Sequence, residues 1–180
     1  MSEQQLVFNN SVEGLLNSIR ERLSPTMKEK LRALGLDADR KLDPGYPAQK
    51  WASFVKYLAA ELYPGVDEPE ALRQIGRRTV DSYAEGLVGS ALFTMLRLVG
   101  PDRTIGRMTK NLRTGSNYME TRSTQLGPRR YEVWINNVSG VPGFYSGLLE
   151  SGMQHSGARD PVATVEKTDG LECTYVIEWK

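Results

Sequence analysis

The chain has 180 residues, of which 39% are hydrophobic and 25% are charged, as is usual for a globular protein with one core. Its 23 basic and 22 acidic side chains almost cancel, which argues against a surface built to hold nucleic acid. A single cysteine, Cys173, excludes an internal disulfide and a cysteine-rich zinc site. We therefore expect a single domain over residues 1–180.

The sequence also bears on where the protein resides. The first residues lack the charged and apolar regions of a secretory signal. No apolar run approaches the roughly 18 residues that a membrane-spanning helix needs. We expect a cytoplasmic protein without a membrane span.

Residues 1–115 have the pattern of a helical lobe. Capping residues such as Ser24, followed by Pro25, mark helix starts, and Gly35 and Gly65 mark helix ends. Apolar residues at helical spacing between these signals predict six helices, over 10–23, 24–35, 47–62, 67–83, 86–99 and 103–113.

Two of these helices differ in character. Helix 67–83 is amphipathic, with apolar residues on one side and Arg73, Arg77 and Arg78 on the other. Helix 86–99 has almost no polar face, which predicts a central, buried helix. Its small residues allow two interpretations, close packing against a neighbouring helix or room for a ligand; these are Gly86, Gly89, Ser90 and Ala91.

The short helix 103–113 is basic. Arg103, Arg107, Lys110 and Arg113 recur at roughly helical spacing, while Ile105, Met108 and Leu112 are expected to face inward. The cations form either a solvated face or a contact with a phosphate or an acidic partner.

Residues 116–180 read as strand, strand, helix, strand, strand. Strands 117–126 and 129–137 meet at Gly127-Pro128, a helix begins at Val141-Pro142, and strands 161–167 and 171–179 meet at residues 168–170. Alternation predicts that Tyr131, Val133 and Ile135 share one face of the sheet. Gly147 is expected to let the intervening helix lie close to that sheet. The fold class is α+β, a helical lobe followed by a four-stranded antiparallel β-β-α-β-β sheet.

This arrangement carries a resemblance to known families. A helical lobe before β-β-α-β-β, with Gly140-Val141-Pro142 and Phe144–Glu150 at the helix entry, resembles the superfamily of heme nitric-oxide-binding domains, 4-vinyl reductase domains and Golgi transport-particle subunits. Nearly the whole chain resembles a large paralogous family of myxobacterial proteins of unknown function. The matching stretches are 12–16, 32–37, 61–65, 75–78, 111–118, 121–122 and 157–159.

The resemblance implies groups that this chain lacks. Heme nitric-oxide binders carry a histidine in the first lobe and a Tyr-x-Ser-x-Arg motif, but the first lobe here has no histidine, and Trp134-Ile135-Asn136-Asn137-Val138 stands where that motif belongs. His155, the only histidine, is expected to be a surface cap or a satisfied polar contact. Cys173 lacks the partner cysteines of reductase-like domains and is expected to be a small core residue. We expect no heme, no metal and no other cofactor.

No pattern of catalytic residues points to an enzyme. Histidine-based triads lack a specific signal, and there is no glycine-rich phosphate loop. The best functional candidate is segment 111–122, at the junction of the two lobes. The candidate ligand- or partner-binding residues are Arg113, Asn117, Tyr118, Arg122, Trp134 and Asn136. The alternative is that Arg113, Asn117 and Arg122 brace the lobes through hydrogen bonds to backbone carbonyls.

Three hypotheses about function remain. The first is a non-enzymatic regulatory or sensory domain that binds a small apolar ligand between the helical lobe and the sheet, or a protein partner through the equivalent surface. The second is an interaction or scaffold protein that works as a homodimer. An enzyme with an unrecognised site is the third.

Overall fold

The computed structural model describes residues 4–180 and consists of helices and two antiparallel sheets. The predicted α+β class is confirmed. In chain order the elements are β1 Leu6–Phe8, α1 Asn9–Ile19, α2 Pro25–Leu34, β2 Gly45–Pro47, α3 Ala48–Leu62, α4 Glu68–Glu85, α5 Leu87–Val99, α6 Pro101–Leu112, β3 Thr121–Gly127, β4 Arg130–Ile135, α7 Pro142–His155, β5 Val162–Asp169 and β6 Glu172–Glu178.

Local signals set the helix boundaries where the sequence predicts them. The Ser24 hydroxyl accepts a hydrogen bond from the backbone N–H of Met27 at 3.1 Å, which caps α2. Gly35 ends α2 in the left-handed conformation, with φ of 102°. The Asp67 carboxylate accepts from the backbone N–H of Glu70 at 3.4 Å and so caps α4. All six helices of the helical lobe are present.

The four-stranded sheet has the order β3-β4-β6-β5, with every neighbouring pair antiparallel. Tyr131, Val133 and Ile135 all lie in the core, as their alternation predicts. Cys173 is buried in the same core, opposite Ile135. β3, the first strand of this sheet, begins at Thr121 and not at residue 117 as predicted. Asn117 lies outside the sheet because its side chain hydrogen-bonds to the N-terminal segment, at Gln4 and Leu6.

A second, two-stranded sheet is a feature that the sequence does not predict. β1 pairs with β2, with Val7 opposite Tyr46. Each strand has three residues, which is too short for alternation to be visible.

The prediction of a central helix 86–99 is wrong, because α4 occupies the centre. α4 packs against α1, α3, α5 and α7. Gly76 of α4 lies against the backbone carbonyl of Phe144, and Gly147 of α7 lies against the carbonyl of Arg73. A Cβ at either glycine would collide with those carbonyls, so both helices need glycine at the contact. Gly147 thus brings α7 close to α4, not to the sheet as predicted.

α5 lies at the edge of the helical lobe. Gly89, Phe93 and Leu96 are its buried residues, whereas Leu87 is 90% exposed and Leu98 is 86% exposed. Gly89 packs against the backbone carbonyl of Tyr83, so close packing explains one of the four small residues. Lack of a polar face does not bury this helix, because neighbouring elements cover only one of its sides.

The arginines of α4 hold the two lobes together. Glu150 of α7 is only 1% exposed, and its carboxylate accepts from Arg77 Nε at 2.8 Å and Arg77 Nη2 at 2.7 Å. The backbone N–H of Ala163 donates to the other carboxylate oxygen at 2.9 Å. One buried carboxylate therefore joins α4, α7 and β5.

The structure contains no candidate membrane span. Within residues 4–180, no helix combines the length and the apolar character needed to cross a bilayer.

Candidate functional site

Two of the six predicted site residues shape the loop before β3. Asn117 accepts from the backbone N–H of Leu6 at 2.8 Å and donates to the carbonyl of Gln4 at 2.9 Å. Asn136 accepts from the N–H of Glu120 at 2.8 Å and donates to the carbonyl of Tyr118 at 2.9 Å. Each amide thus accepts from one backbone group and donates to another.

Two others lie on the outer face of the sheet. The Arg122 guanidinium sits 4.5 Å from the centre of the Trp134 ring, and the indole N–H of Trp134 donates to Glu172 at 3.2 Å. These side chains form a surface cluster on β3, β4 and β6.

The remaining two are separate from each other. The Tyr118 hydroxyl shares a 2.7 Å hydrogen bond with the Ser139 hydroxyl. Burial raises the pKa of Tyr118, and the hydrogen bond with Ser139 opposes that rise. Arg113 is exposed on the single 3-10 turn after α6. The structure does not bring the six residues together.

A mainly apolar cavity lies elsewhere in the described chain, between the helical lobe and α7. Its volume is about 300 Å³, and it is partly open to solvent. Six helices surround it, α1, α3, α4, α5, α6 and α7, together with Val7 of β1 and with Thr114, Gly115, Ser116 and Met119. This place differs from the predicted one between the helical lobe and the sheet, because α7 and not the strands of the four-stranded sheet forms that wall. None of the six predicted residues lines it, although their neighbours Asn111, Thr114 and Met119 do.

The cavity has an apolar interior and a polar mouth. Most of the buried lining side chains are aromatic or aliphatic: Trp51, Phe93, Leu96, Met119, Phe144 and Tyr145. The exposed lining residues are mostly polar: Asn10, Arg107, Asn111 and Thr114. Arg107 is the one charged residue of the lining. This separation favours an apolar occupant that enters past polar groups.

Glycine provides part of the cavity's space. Gly14 of α1 lines the cavity, and a Cβ built there would lie 4.0 Å from Thr79 Cγ2, in ordinary contact. Gly152 of α7 lies against the Met108 thioether. The buried hydroxyl of Thr104 adds no free polar group, because it donates to the carbonyl of Gly100 at 2.8 Å.

Trp51 and Tyr145 are neighbours in the buried part of the lining. The Trp51 side chain is 3% exposed, and its indole N–H lies close to the Tyr145 hydroxyl. Burial raises the pKa of Tyr145 well above its usual range, and the indole N–H counteracts this only in part.

Sequence reasoning missed the cavity residues. Trp51, Phe93 and Phe144 lie on three helices and look like ordinary core positions in the sequence. The predicted small-residue patch did point to α5, although the residues of α5 that line the cavity are Leu92, Phe93 and Leu96.

Solved H-NOX structures share this architecture. A Tt H-NOX variant gives a TM-score of 0.68 at 12% identity, over 96% of this chain and 95% of that one. An H-NOX protein from S. oneidensis in the Fe(II)NO ligation state gives a TM-score of 0.64 at 14% identity, over 94% of this chain and 97% of that one. The Fe(II) unliganded H-NOX protein from K. algicida gives a TM-score of 0.65 at 12% identity, over 95% of each chain. The fold is thus H-NOX-like, which confirms the predicted resemblance in fold.

The sequence itself assigns the chain to a narrower group. The family model described as "Protein of unknown function (DUF2378)" matches residues 5–180, and the chain belongs to this family. That confirms the resemblance to a family of unknown function. No curated protein matches the chain.

The cavity residues do not fit a histidine-ligated heme. The lining includes neither histidine nor cysteine, the residues that hold heme iron in many proteins. His155 lies outside the lining, and its Nε2 atom is 2.9 Å from Asp81 Oδ1. This contact agrees with the prediction that His155 makes a satisfied polar contact.

Proposed function

We propose that this protein is a regulatory or sensory domain that binds a small apolar ligand in the cavity between its helical lobe and α7. The observation that carries the proposal is the cavity itself, with its apolar interior and polar mouth. Its volume of about 300 Å³ is at the small end of the range known for ligand pockets, roughly 300–1,000 Å³. A compact molecule fits this space better than an extended one.

The fold supports a ligand-holding role. H-NOX proteins of the same architecture include one solved in an Fe(II)NO ligation state. In this chain, a cavity opens between the helical lobe and the β-β-α-β-β lobe. Ligand binding at such a boundary is common in proteins.

Binding without heme is part of the proposal. It rests on the donor set of the lining, which has no histidine or cysteine. Of the side chains that bind heme iron in other proteins, only Met108, Tyr83 and Tyr145 are in the lining. The Tyr145 hydroxyl is held in its neutral form by burial, which makes it a poor iron ligand. Hemin added to the purified protein is expected to give no stoichiometric absorption band of ligated heme. A band that survives gel filtration would contradict heme-free binding.

A non-enzymatic role is proposed on the geometry of a cluster in the described part of the chain that resembles a catalytic site. Ser151 Oγ donates to Asp81 Oδ1 at 2.6 Å, and His155 Nε2 contacts the same oxygen at 2.9 Å. In a serine triad the histidine lies between the serine and the acid, which is not the arrangement here. This cluster therefore supports a structural role in joining α4 to α7.

The test of ligand binding uses ethylbenzene as the probe and NMR titration of the full chain as the measurement. We expect resonances of cavity residues to shift saturably in the native protein. Gly14→Leu fills the space next to Thr79 and replaces a helical glycine, so it is expected to fold at least as stably and to lose the shifts. Equal binding by the native chain and Gly14→Leu would contradict the proposed site.

A second candidate function is dimerisation through α5. This helix exposes an apolar stripe consisting of Leu87, Val88, Met95 and Leu98. Exposed apolar patches on a protein surface mark interaction sites. Light scattering after gel filtration tests this role: a dimer that Leu98→Lys converts to monomer supports it, and a native monomer at high concentration contradicts it.

A further inference from the structure

The polar mouth of the cavity carries one positive charge and no negative one. Arg107 of α6 is the one charged residue of the lining, which contains no aspartate or glutamate. Its guanidinium is exposed and has neither an ion pair nor a hydrogen bond with any group among residues 4–180. By contrast, Arg77 of α4 is held by the Glu150 carboxylate at 2.7 Å. The charge of Arg107 is therefore available to a molecule that enters the cavity.

Amide side chains at the mouth add hydrogen-bond donors to this charge. Asn111 lies four residues after Arg107 on α6, so the two side chains share one face of the helix. The Asn10 side-chain oxygen already accepts from the backbone N–H of Ser11 at 2.9 Å, which leaves its NH2 group to donate elsewhere. Asn10 and Asn111 both line the mouth. An anionic group placed there meets a cation and amide donors.

The apolar wall begins next to these polar groups. Met108 and Leu112 lie on α6 as Arg107 does, and both line the cavity and pack against the core. The buried rings of Phe93 and Phe144 belong to the same lining. A molecule with its charged end at Arg107 can therefore place its apolar part inside the cavity.

The single cation restricts the kind of anionic group. One guanidinium balances one negative charge, and its planar fork fits the two oxygens of a carboxylate. A phosphate monoester carries a charge of about −1.5 to −2 at neutral pH, so it would leave unbalanced charge beside an apolar lining. The whole chain has a formal net charge of only +1, so no strong long-range field adds to Arg107. The mouth thus favours a monocarboxylate.

We propose that the ligand is a small monocarboxylate with a compact apolar body, and that Arg107 pairs with its carboxylate at the mouth of the cavity. The inference rests on the proposed function and adds the chemical class of the ligand. The apolar lining holds the body, and the guanidinium holds the carboxylate at the end that faces solvent.

The test compares 3-phenylpropanoate with 3-phenylpropanamide, two probes of similar shape of which only the first is charged. NMR titrations on the full chain measure their affinities for the native protein and for Arg107→Gln. The variant is expected to bind phenylpropanoate roughly fivefold more weakly, the worth of a good ion pair at an exposed site. Its affinity for phenylpropanamide should change less than about twofold, because the amide has no charge to lose a partner.

Two further variants separate the Arg107 contact from other effects of charge. Arg103→Gln is the matched control, because Arg103 is an exposed arginine of the same helix that does not line the cavity. It should leave both affinities within about twofold of the native values. Arg107→Lys keeps the charge and loses the planar fork, so it should bind phenylpropanoate more tightly than Arg107→Gln and less tightly than the native chain.

The outcomes separate this inference from the function on which it rests. Equal losses for the two probes in Arg107→Gln, an unchanged affinity for phenylpropanoate, or the same loss in Arg103→Gln would overturn the role of Arg107. So would binding of ethylbenzene without binding of phenylpropanoate, and in each of these cases the ligand-binding function stands. Failure of all three probes to bind the native chain would overturn the function and the inference together.

Discussion

Glu150 shows how one residue can hold the two lobes of this fold together. Its buried carboxylate depends on Arg77, whose side chain is about half-exposed. Arg77→Met leaves that carboxylate with the more distant Arg73, 3.7 Å away, and with the N–H of Ala163. We expect a loss of about 2 kcal/mol in the free energy of unfolding, less than for a fully buried pair because solvent screens Arg77.

Urea unfolding measures this loss, and Arg103→Met is the matched control. Arg103 is exposed on α6 and has no ion pair among residues 4–180, so its replacement should change stability by less than about 0.5 kcal/mol. Equal losses in the two variants would show that the Glu150 contact does not join the lobes.

Buried tyrosines predict how stability depends on pH. Burial raises the pKa of Tyr145 and of Tyr175 above the usual value of about 10. Because these tyrosines ionise at lower pH in the unfolded chain than in the folded one, their contribution to the free energy of unfolding is intact below about pH 10 and falls as the pH rises further. Tyrosinate absorbance should show part of the eight tyrosines titrating only as the protein unfolds. Titration of all eight in the folded state would contradict this burial.

At the scale of elements, the contact between α4 and α7 is set by glycine. Gly76→Ala places a methyl group against the backbone carbonyl of Phe144, which cannot move without shifting α7. We expect the free energy of unfolding to fall by about 3 kcal/mol, the upper end of the usual cost of overpacking a core. Thermal or urea unfolding measures it.

Gly106→Ala on α6 is the control for helix propensity. A Cβ at Gly106 meets Ser123 Oγ at 4.0 Å, in ordinary contact, so alanine should stabilise the protein by about 0.5–1 kcal/mol. If both alanine variants were stabilising, the close approach of α4 and α7 would be incorrect.

Patterns in the sequence predict where elements begin and end better than where they lie. Ser24 and Gly35 act through neighbours a few residues away, so their effects are visible in the sequence. The positions of α4 and α5 depend on distant partners. The arginines of α4 lie at the junction of the lobes because two of them contact the Glu150 carboxylate. By contrast, α5 has apolar residues that no neighbour within the described chain covers.

At the scale of the whole molecule, the fold is predictable and the cavity is not. Alternation and turn residues are sufficient for the β-β-α-β-β order, since each signal is local. The cavity is formed by side chains from six helices, and Trp51 lies far along the chain from Phe144. The polar residues predicted for the site, such as Asn117 and Asn136, hydrogen-bond to backbone groups instead.

The central claim is that a small apolar molecule occupies the cavity between the helical lobe and α7. Intermolecular nuclear Overhauser effects from ethylbenzene to the side chains of Leu96, Met108 and Leu148 test it most directly, because all three line that cavity. We predict contacts to these side chains in the native protein and their loss in Gly14→Leu. Contacts confined to the exposed Leu87 and Leu98 of α5, or no contacts at all, would contradict the claim.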